Sequence, residues 1–181
     1  MKYPNVNKRD DLPKFFMDRG FRVGAEIGVM KGEYSLKLCK AIPNLRLYCV
    51  DIWDMYPGYD VKASKNHQQE FYEIARSNLW GFFGVEFLKM MSMDAVKCIN
   101  DKSLDFVYID GNHDFDYVME DIIEWSKKVK SGGIVSGHDY FHFPAGDGGV
   151  VQAVDCYVSV HKIPQVYLTL DRETSWFWFK P

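Results

Sequence analysis

Strand-like and helix-like segments alternate five times along this chain, and two final strand-like runs then follow each other with no helix between them. The five runs are "RVGAEIG", "LRLYCVD", "VEFLKM", "LDFVYID" and "SGGIVSGHD". The segments after them carry apolar residues at helical spacing: "EYSLKLCKAI", which Pro43 stops, "HQQEFYEIARSNLW", "MDAVKCIN", "FDYVMEDIIEWSKKV" and residues 150–161. Ser92 is placed to N-cap the third of these. Parallel strands need a crossover, which a helix supplies, so the order predicts an α/β sandwich of three layers. The sheet is expected to have seven mostly parallel strands, with "QVYLTLD" and "SWFWFK" forming a C-terminal antiparallel hairpin. A short helix over 10–19, closed by Gly20, precedes the first strand. With 181 residues, 47% of them hydrophobic, the chain has material for one well-buried core, so residues 1–181 read as a single domain.

The formal net charge is −3 and the 22 lysines and arginines are dispersed, which argues against nucleic acid or an anionic membrane as partner. No apolar window reaches signal-peptide or membrane-span length, and a cytoplasmic protein is expected. The four cysteines lack a C-x-x-C spacing and three lie in apolar-patterned segments, which points to reduced core thiols rather than a cysteine zinc site.

In open α/β sheets ligands bind beyond the carboxyl ends of the strands, beside the point where strand order reverses. Acids stand at or just after all five of these ends: Glu26, Asp51, Asp94, Asp110 and Asp139. Such a rim repels a pyrophosphate, and the turn after the first strand reads E-x-G-x-x-x-G rather than the phosphate-binding G-x-G-x-x-G. An adenosine ligand that is cationic and lacks phosphate suits it better, and S-adenosylmethionine has that form. Gly28 would let backbone approach such a ligand and Gly32 would let the next helix start against it. Asp51, nineteen residues after Gly32, is placed to accept hydrogen bonds from the ribose hydroxyls.

With these residues in place, the chain resembles the class I S-adenosylmethionine-dependent methyltransferases, whose fold is Rossmann-like. It is most similar to the branch holding the catechol-type and the metal-dependent sugar and macrolide O-methyltransferases. The likeness spans about residues 22–140 and rests on "AEIGVMKGEYS", "LYCVD", "MSMDAV", "LDFVYIDGNHDFDYVMEDI" and "GGIVSGHDY". It implies that Glu26, Gly28 and Gly32 shape the methionine end, with Ser35 a candidate for the methionine carboxylate, and that Asp51 holds the ribose. It also implies that Ser92 and Met93 flank the adenine, while Asp94 reaches its amino group or caps a helix. Asp110 would lie between cofactor and acceptor and bind a divalent cation. At the fifth strand Asp139 fits the branch, Tyr140 replaces its asparagine, and His138 precedes them. Asp110, Asp139 and His138 are therefore the candidate ligands of Mg2+ or Mn2+.

Methyl transfer is an in-line displacement at carbon, so the protein must align two reactants and activate an oxygen. His113, three residues after Asp110 and suited by its ordinary pKa to proton transfer near neutrality, is the candidate base, with His138 competing. The expected reaction is methylation of a hydroxyl on a small-molecule or sugar acceptor, catalysed by His113, Asp110 and Asp139. Acceptor specificity is expected in the aromatic loops "WDMYPGYDVKASKNH" and "YFHFPAGDGG". Only about twenty residues precede the first strand, which suggests an open site or one that a second subunit completes. A non-catalytic S-adenosylmethionine-binding domain and, against the rim's charge, an NAD(P)-dependent oxidoreductase are the alternatives.

Overall fold

Phe106 and Tyr108 point to one face of their strand, Val107 and Ile109 to the other, and all four are buried. A strand without a polar face belongs inside a sheet covered on both sides. The computed structural model describes residues 3, 5–56, 65–141 and 148–181, and shows that sheet. Five parallel strands, β1 (Val23–Ile27), β2 (Arg46–Asp51), β3 (Val85–Lys89), β4 (Leu104–Ile109) and β5 (Val129–Gly137), are joined by β7 (Trp176–Phe179), antiparallel to β5, and by edge strand β6 (Tyr167–Leu168), antiparallel to β7. Their order is β3-β2-β1-β4-β5-β7-β6, so the reversal lies between β1 and β4.

The helices are α1 (Leu12–Asp18), α2 (Glu33–Ala41), α3 (Lys65–Asn78), α4 (Ser92–Ala95), α5 (Phe115–Lys128) and α6 (Val150–Val160). Leu12 and Phe16 of α1, Leu38 of α2 and Ala75 of α3, with Leu79 just beyond it, pack with Phe106 and Tyr108 on one face. Ala95 of α4, Ile122 and Trp125 of α5 and Val154 of α6 pack with Val107 and Ile109 on the other. Trp176 and Trp178 alternate with Phe177 on β7; the two indoles stack 5.0 Å apart on the second face, and Phe177 joins the first.

Two local expectations are corrected. Ser92 is the first residue of α4 and Met91 its N-cap, because the serine hydroxyl is taken by Asp121 and by Trp125 Nε1 (2.8 Å). Of the cysteines, only Cys39 and Cys49 are buried, while Cys98 and Cys156 lie on exposed helical faces.

The chain ahead of α1 is tied to the hairpin. Leu170 N–H donates to the Asn7 carbonyl (2.7 Å), Arg9 N–H donates to Asp171 Oδ2 (2.7 Å), and Tyr3 meets Tyr167 edge-on at 5.0 Å. These ties hold the 3-10 turn Arg9–Asp11 above the carboxyl ends of the central strands.

Candidate active site

The turn after β1 is built by two glycines whose reasons lie within the protein. Gly28 has φ +85°, and a Cβ there would lie 2.1 Å from the Asp110 carbonyl oxygen. Gly32 has φ +71°, and its Cβ would lie 3.2 Å from Ala75 Cα of α3. Gly28 N–H donates to the Val50 carbonyl (2.9 Å) and Asp110 N–H to the Ile27 carbonyl (2.7 Å), so the ends of β1, β2 and β4 are drawn into one cluster. Asp51 fixes the same turn: Oδ2 accepts from the N–H groups of Val29 (2.9 Å) and Met30 (2.8 Å), and Oδ1 accepts from Trp53 N–H (2.9 Å).

Above this cluster opens a cavity of about 450 Å³, between the two halves of the sheet. At one end Glu26 is 1% exposed and accepts a hydrogen bond from Ser35 Oγ (2.5 Å). Burial pushes its carboxyl up to about 8, against the pull of the Ser35 hydrogen bond and the Arg9 charge. Arg9 Nη2 lies 2.5 Å from Asp110 Oδ2, with the guanidinium over the rings of Tyr34 (4.2 Å) and Tyr108 (5.1 Å). Burial also raises the Asp110 carboxyl, with Arg9 and His138 opposing it.

Beside Asp110 sits a cluster that can move protons. His113 Nε2 is 3.0 Å from Asp139 Oδ2, and His138 Nδ1 is 3.2 Å from the same oxygen and 3.7 Å from Asp110 Oδ1. Although burial acts the other way, hydrogen bonds from His113 and His138 hold the Asp139 carboxyl well below the usual carboxylate range. The same hydrogen bond to Asp139 raises His113, against desolvation. Asp139 itself has φ +57°, a conformation that non-glycine residues adopt rarely and that aims its carboxylate at the two imidazoles. Asp110, His113 and Asp139 each offer a donor atom within 4.8 Å of the others, a set compatible with a divalent ion.

Of the residues singled out from sequence, Glu26, Gly28, Asp51, Ser92, Asp110 and His113 line the cavity. Asp139 meets it through His113. Gly32, Ser35, Met93, Asp94 and His138 are not in its walls. Ser35 is fully buried on Glu26, Met93 packs against the core, and exposed Asp94 pairs with Lys97 (2.8 Å). In the metal-compatible set His113 takes the place expected of His138, whose buried ring lies 6.5 Å from Tyr108. Of the first aromatic loop, Tyr56 reaches the cavity and accepts from Asn112 Nδ2 (3.0 Å). Trp53 does not: it is buried, tilted against Tyr72 at 4.8 Å and bonded through Nε1 to the Met30 carbonyl (2.7 Å). Residues 57–64 and 142–147 of the two loops, His142 included, lie outside the described residues.

Arg9, Tyr34, Gln68 and Tyr117 also line the cavity and carried no sequence signal. Arg9 sits in "NKRDD", which reads as a solvated charged run, and Tyr34 and Gln68 fall at ordinary helical core positions.

The sequence model of a family described as Methyltransferase domain matches residues 25–140. No curated protein matches the chain significantly. Among solved structures, TomG from Streptomyces achromogenes, an O-methyltransferase of tomaymycin synthesis in complex with SAM, is 17% identical with a TM-score of 0.67, the match covering 98% of this chain and 83% of TomG. An O-methyltransferase from Bacillus cereus in complex with SAH is 18% identical with a TM-score of 0.65, over 97% of this chain and 82% of that one. A protein from Staphylococcus aureus, described as a candidate caffeoyl-CoA O-methyltransferase, is 16% identical with a TM-score of 0.68, over 98% and 86%. The fold is shared with all three. No helix among the described residues is long and apolar enough to cross a membrane.

Proposed function

The chain belongs to the Methyltransferase domain family, and so to the class I S-adenosylmethionine-dependent methyltransferases; from that premise we propose that it methylates a hydroxyl of a small-molecule acceptor. The observation that carries the oxygen chemistry is the His113–Asp139 pair, 3.0 Å apart, at the wall of the cavity formed by Glu26, Gly28, Asp51 and Ser92. Asp51 faces the ribose, the backbone at Met91 and Ser92 faces the adenine, and Glu26 and Asp110 face the cationic methionine end. The bound O-methyltransferases of the same fold, one with SAM and one with SAH, support this donor assignment.

In the transfer, an acceptor oxygen attacks the sulfonium methyl carbon, the C–O bond forms, and the C–S bond breaks with its electron pair going to sulfur. The acceptor must be held in line, because positioning supplies much of the rate. With Nε2–H given to Asp139, His113 Nδ1 is the nitrogen that takes the acceptor proton, and Asp139 stabilises the imidazolium that results. Tyr56 and Tyr117, with rings 6.0 Å apart, offer aromatic surface for an acceptor ring or sugar face.

A metal-assisted variant of the same reaction is favoured by the 4.8 Å grouping of Asp110, His113 and Asp139. Two carboxylates and an imidazole suit Mn2+ better than Mg2+. When bound there, the ion would lower the pKa of the acceptor hydroxyl as a Lewis acid. The two uses of His113 exclude each other, since a neutral imidazole has one nitrogen lone pair and gives it either to a metal or to a proton.

The test is turnover of S-adenosylmethionine with a panel of phenols and sugars, following formation of S-adenosylhomocysteine with manganese and with chelator. Transfer to oxygen that survives chelation and is lost in His113→Ala is the expected result. Tight S-adenosylhomocysteine binding with no transfer to any acceptor would instead leave a binding domain, and transfer abolished by chelation would select the metal-assisted variant.

A further inference from the structure

The end of the cavity around Glu26 holds more than a cation needs. A site for cations alone requires acids, and Glu26 and Asp110 supply them. Yet a guanidinium stands against Asp110, delivered by a 3-10 turn from outside the sheet and lying over the adjacent rings of Tyr34 and Tyr108. An acid and a fixed guanidinium side by side are the complement of an α-amino acid, which carries an ammonium and a carboxylate on one carbon.

The hydrogen bonds of this end are also incomplete. Among the described residues the Arg9 side chain makes one hydrogen bond, from Nη2 to Asp110, out of five N–H donors. Arg9 Nε is closed off from water without a partner, and so is the Tyr34 hydroxyl, whose ring lies beneath the guanidinium. Those two atoms mark how tightly the guanidinium is packed, but the Arg9 side chain keeps 25% of its surface exposed and lines the cavity, so donors it does not give to Asp110 are open to an acceptor from outside the protein. A carboxylate, with about four lone-pair sites and the charge to match, is that acceptor, and arginine's planar fork is the side chain suited to sharing itself between two carboxylates.

We propose that Arg9, supported by Tyr34, binds the α-carboxylate of the methyl donor's methionine moiety, while Glu26 and Asp110 take its ammonium. The assignment rests on the donor reading above and adds to it a residue outside the matched family region, which begins at residue 25. It also accounts for Ser35, the sequence candidate for that carboxylate, being spent on Glu26.

Calorimetry with two ligands tests it: S-adenosylhomocysteine, and its decarboxylated analogue, identical except that hydrogen replaces the carboxylate. The wild-type chain is expected to prefer the first by roughly 10- to 100-fold, the range of a charge-assisted hydrogen bond. Arg9→Gln is expected to lose that preference by weakening only the carboxylate ligand, with the analogue bound as before, which also shows that the variant is folded. Arg9→Lys, keeping the charge without the fork, should fall between the two. Arg9→Gln binding both ligands equally more weakly, or both more tightly because the arginine had merely stood where the ammonium goes, would overturn the assignment. Tight S-adenosylhomocysteine binding by Arg9→Gln with the preference intact would overturn it while leaving the donor reading standing. No S-adenosylhomocysteine binding by the wild-type chain would bring down the donor reading and this inference together.

Discussion

Asp139 accepts from two imidazoles, and this sets the direction in which activity must respond to pH. The Asp139 hydrogen bond favours protonated His113, so the basic form of His113 accumulates only at higher pH than for a free imidazole. If His113 is the base, activity rises with pH through that ionisation. Asp139→Asn is then expected to move the rising limb of the pH–rate profile to lower pH while reducing the maximal rate by about 10²-fold or more, because the imidazolium loses the carboxylate that stabilises it. A limb that stays in place would detach Asp139 from the base. Glu26 gives a second pH signature, in stability. Its carboxyl is raised to about 8 in the folded chain from an ordinary 4.5, so between those values the folded state holds a proton that the unfolded state has released. Its contribution is full below about 4.5 and is lost as pH rises through about 8. The melting temperature of Glu26→Gln should therefore gain on that of wild type as pH rises over this window, and a constant difference would contradict the shift. Asp51, Asp110 and Asp139 were legible as strand-end acids because each follows an apolar run, whereas Asp94 lies within α4 and pairs with Lys97. Arg9 was not, because its partner Asp110 lies 101 residues away and nothing in "NKRDD" marks one charge as buried.

At the scale of elements, alternation of apolar runs and helical spacings revealed the layers and the closing hairpin, since burial on both faces leaves a direct mark on a strand. Strand order and register left no such mark, because they are set by pairings between distant segments. Cap chemistry was ambiguous in the same way: Ser92 has the right type and position, but a buried Asp121 and Trp125, 29 and 33 residues on, claim its hydroxyl. The β1–α2 turn shows how one letter, glycine, hides two different demands. At Gly28 a methyl group would collide with backbone at 2.1 Å in a left-handed conformation, whereas at Gly32 the nearest atom is 3.2 Å away. Gly28→Ala is expected to cost well over about 3 kcal/mol and Gly32→Ala about 1–2 kcal/mol, read from urea unfolding midpoints. Similar costs for both would show that the β1–β4 junction yields more easily than its contacts imply.

The whole molecule joins its two distant segments over the site. The chain before α1 reaches the cavity because the loop after β6 grips it at Asn7 and Arg9. Asp171 is not itself in the cavity wall, yet its carboxylate holds the backbone of Arg9, which is. Asp171→Ala should thus weaken S-adenosylhomocysteine by about fivefold, the worth of one hydrogen bond, and add nothing in an Arg9→Gln background. Calorimetry on the double-mutant cycle measures this, and additive losses would separate the two residues. Acids at strand ends are within reach of the sequence because each belongs to one element; the seam is not, because it joins two segments far apart in the chain. That seam also gives the fold an order in time. Arg9 and Asp171 are 162 residues apart, a span whose closure is entropically costly and whose contacts form late. The parallel sheet and its acids can assemble before the seam is made, so on refolding the turn that joins β1, β2 and β4 is expected to form first and the Arg9–Asp110 pair last.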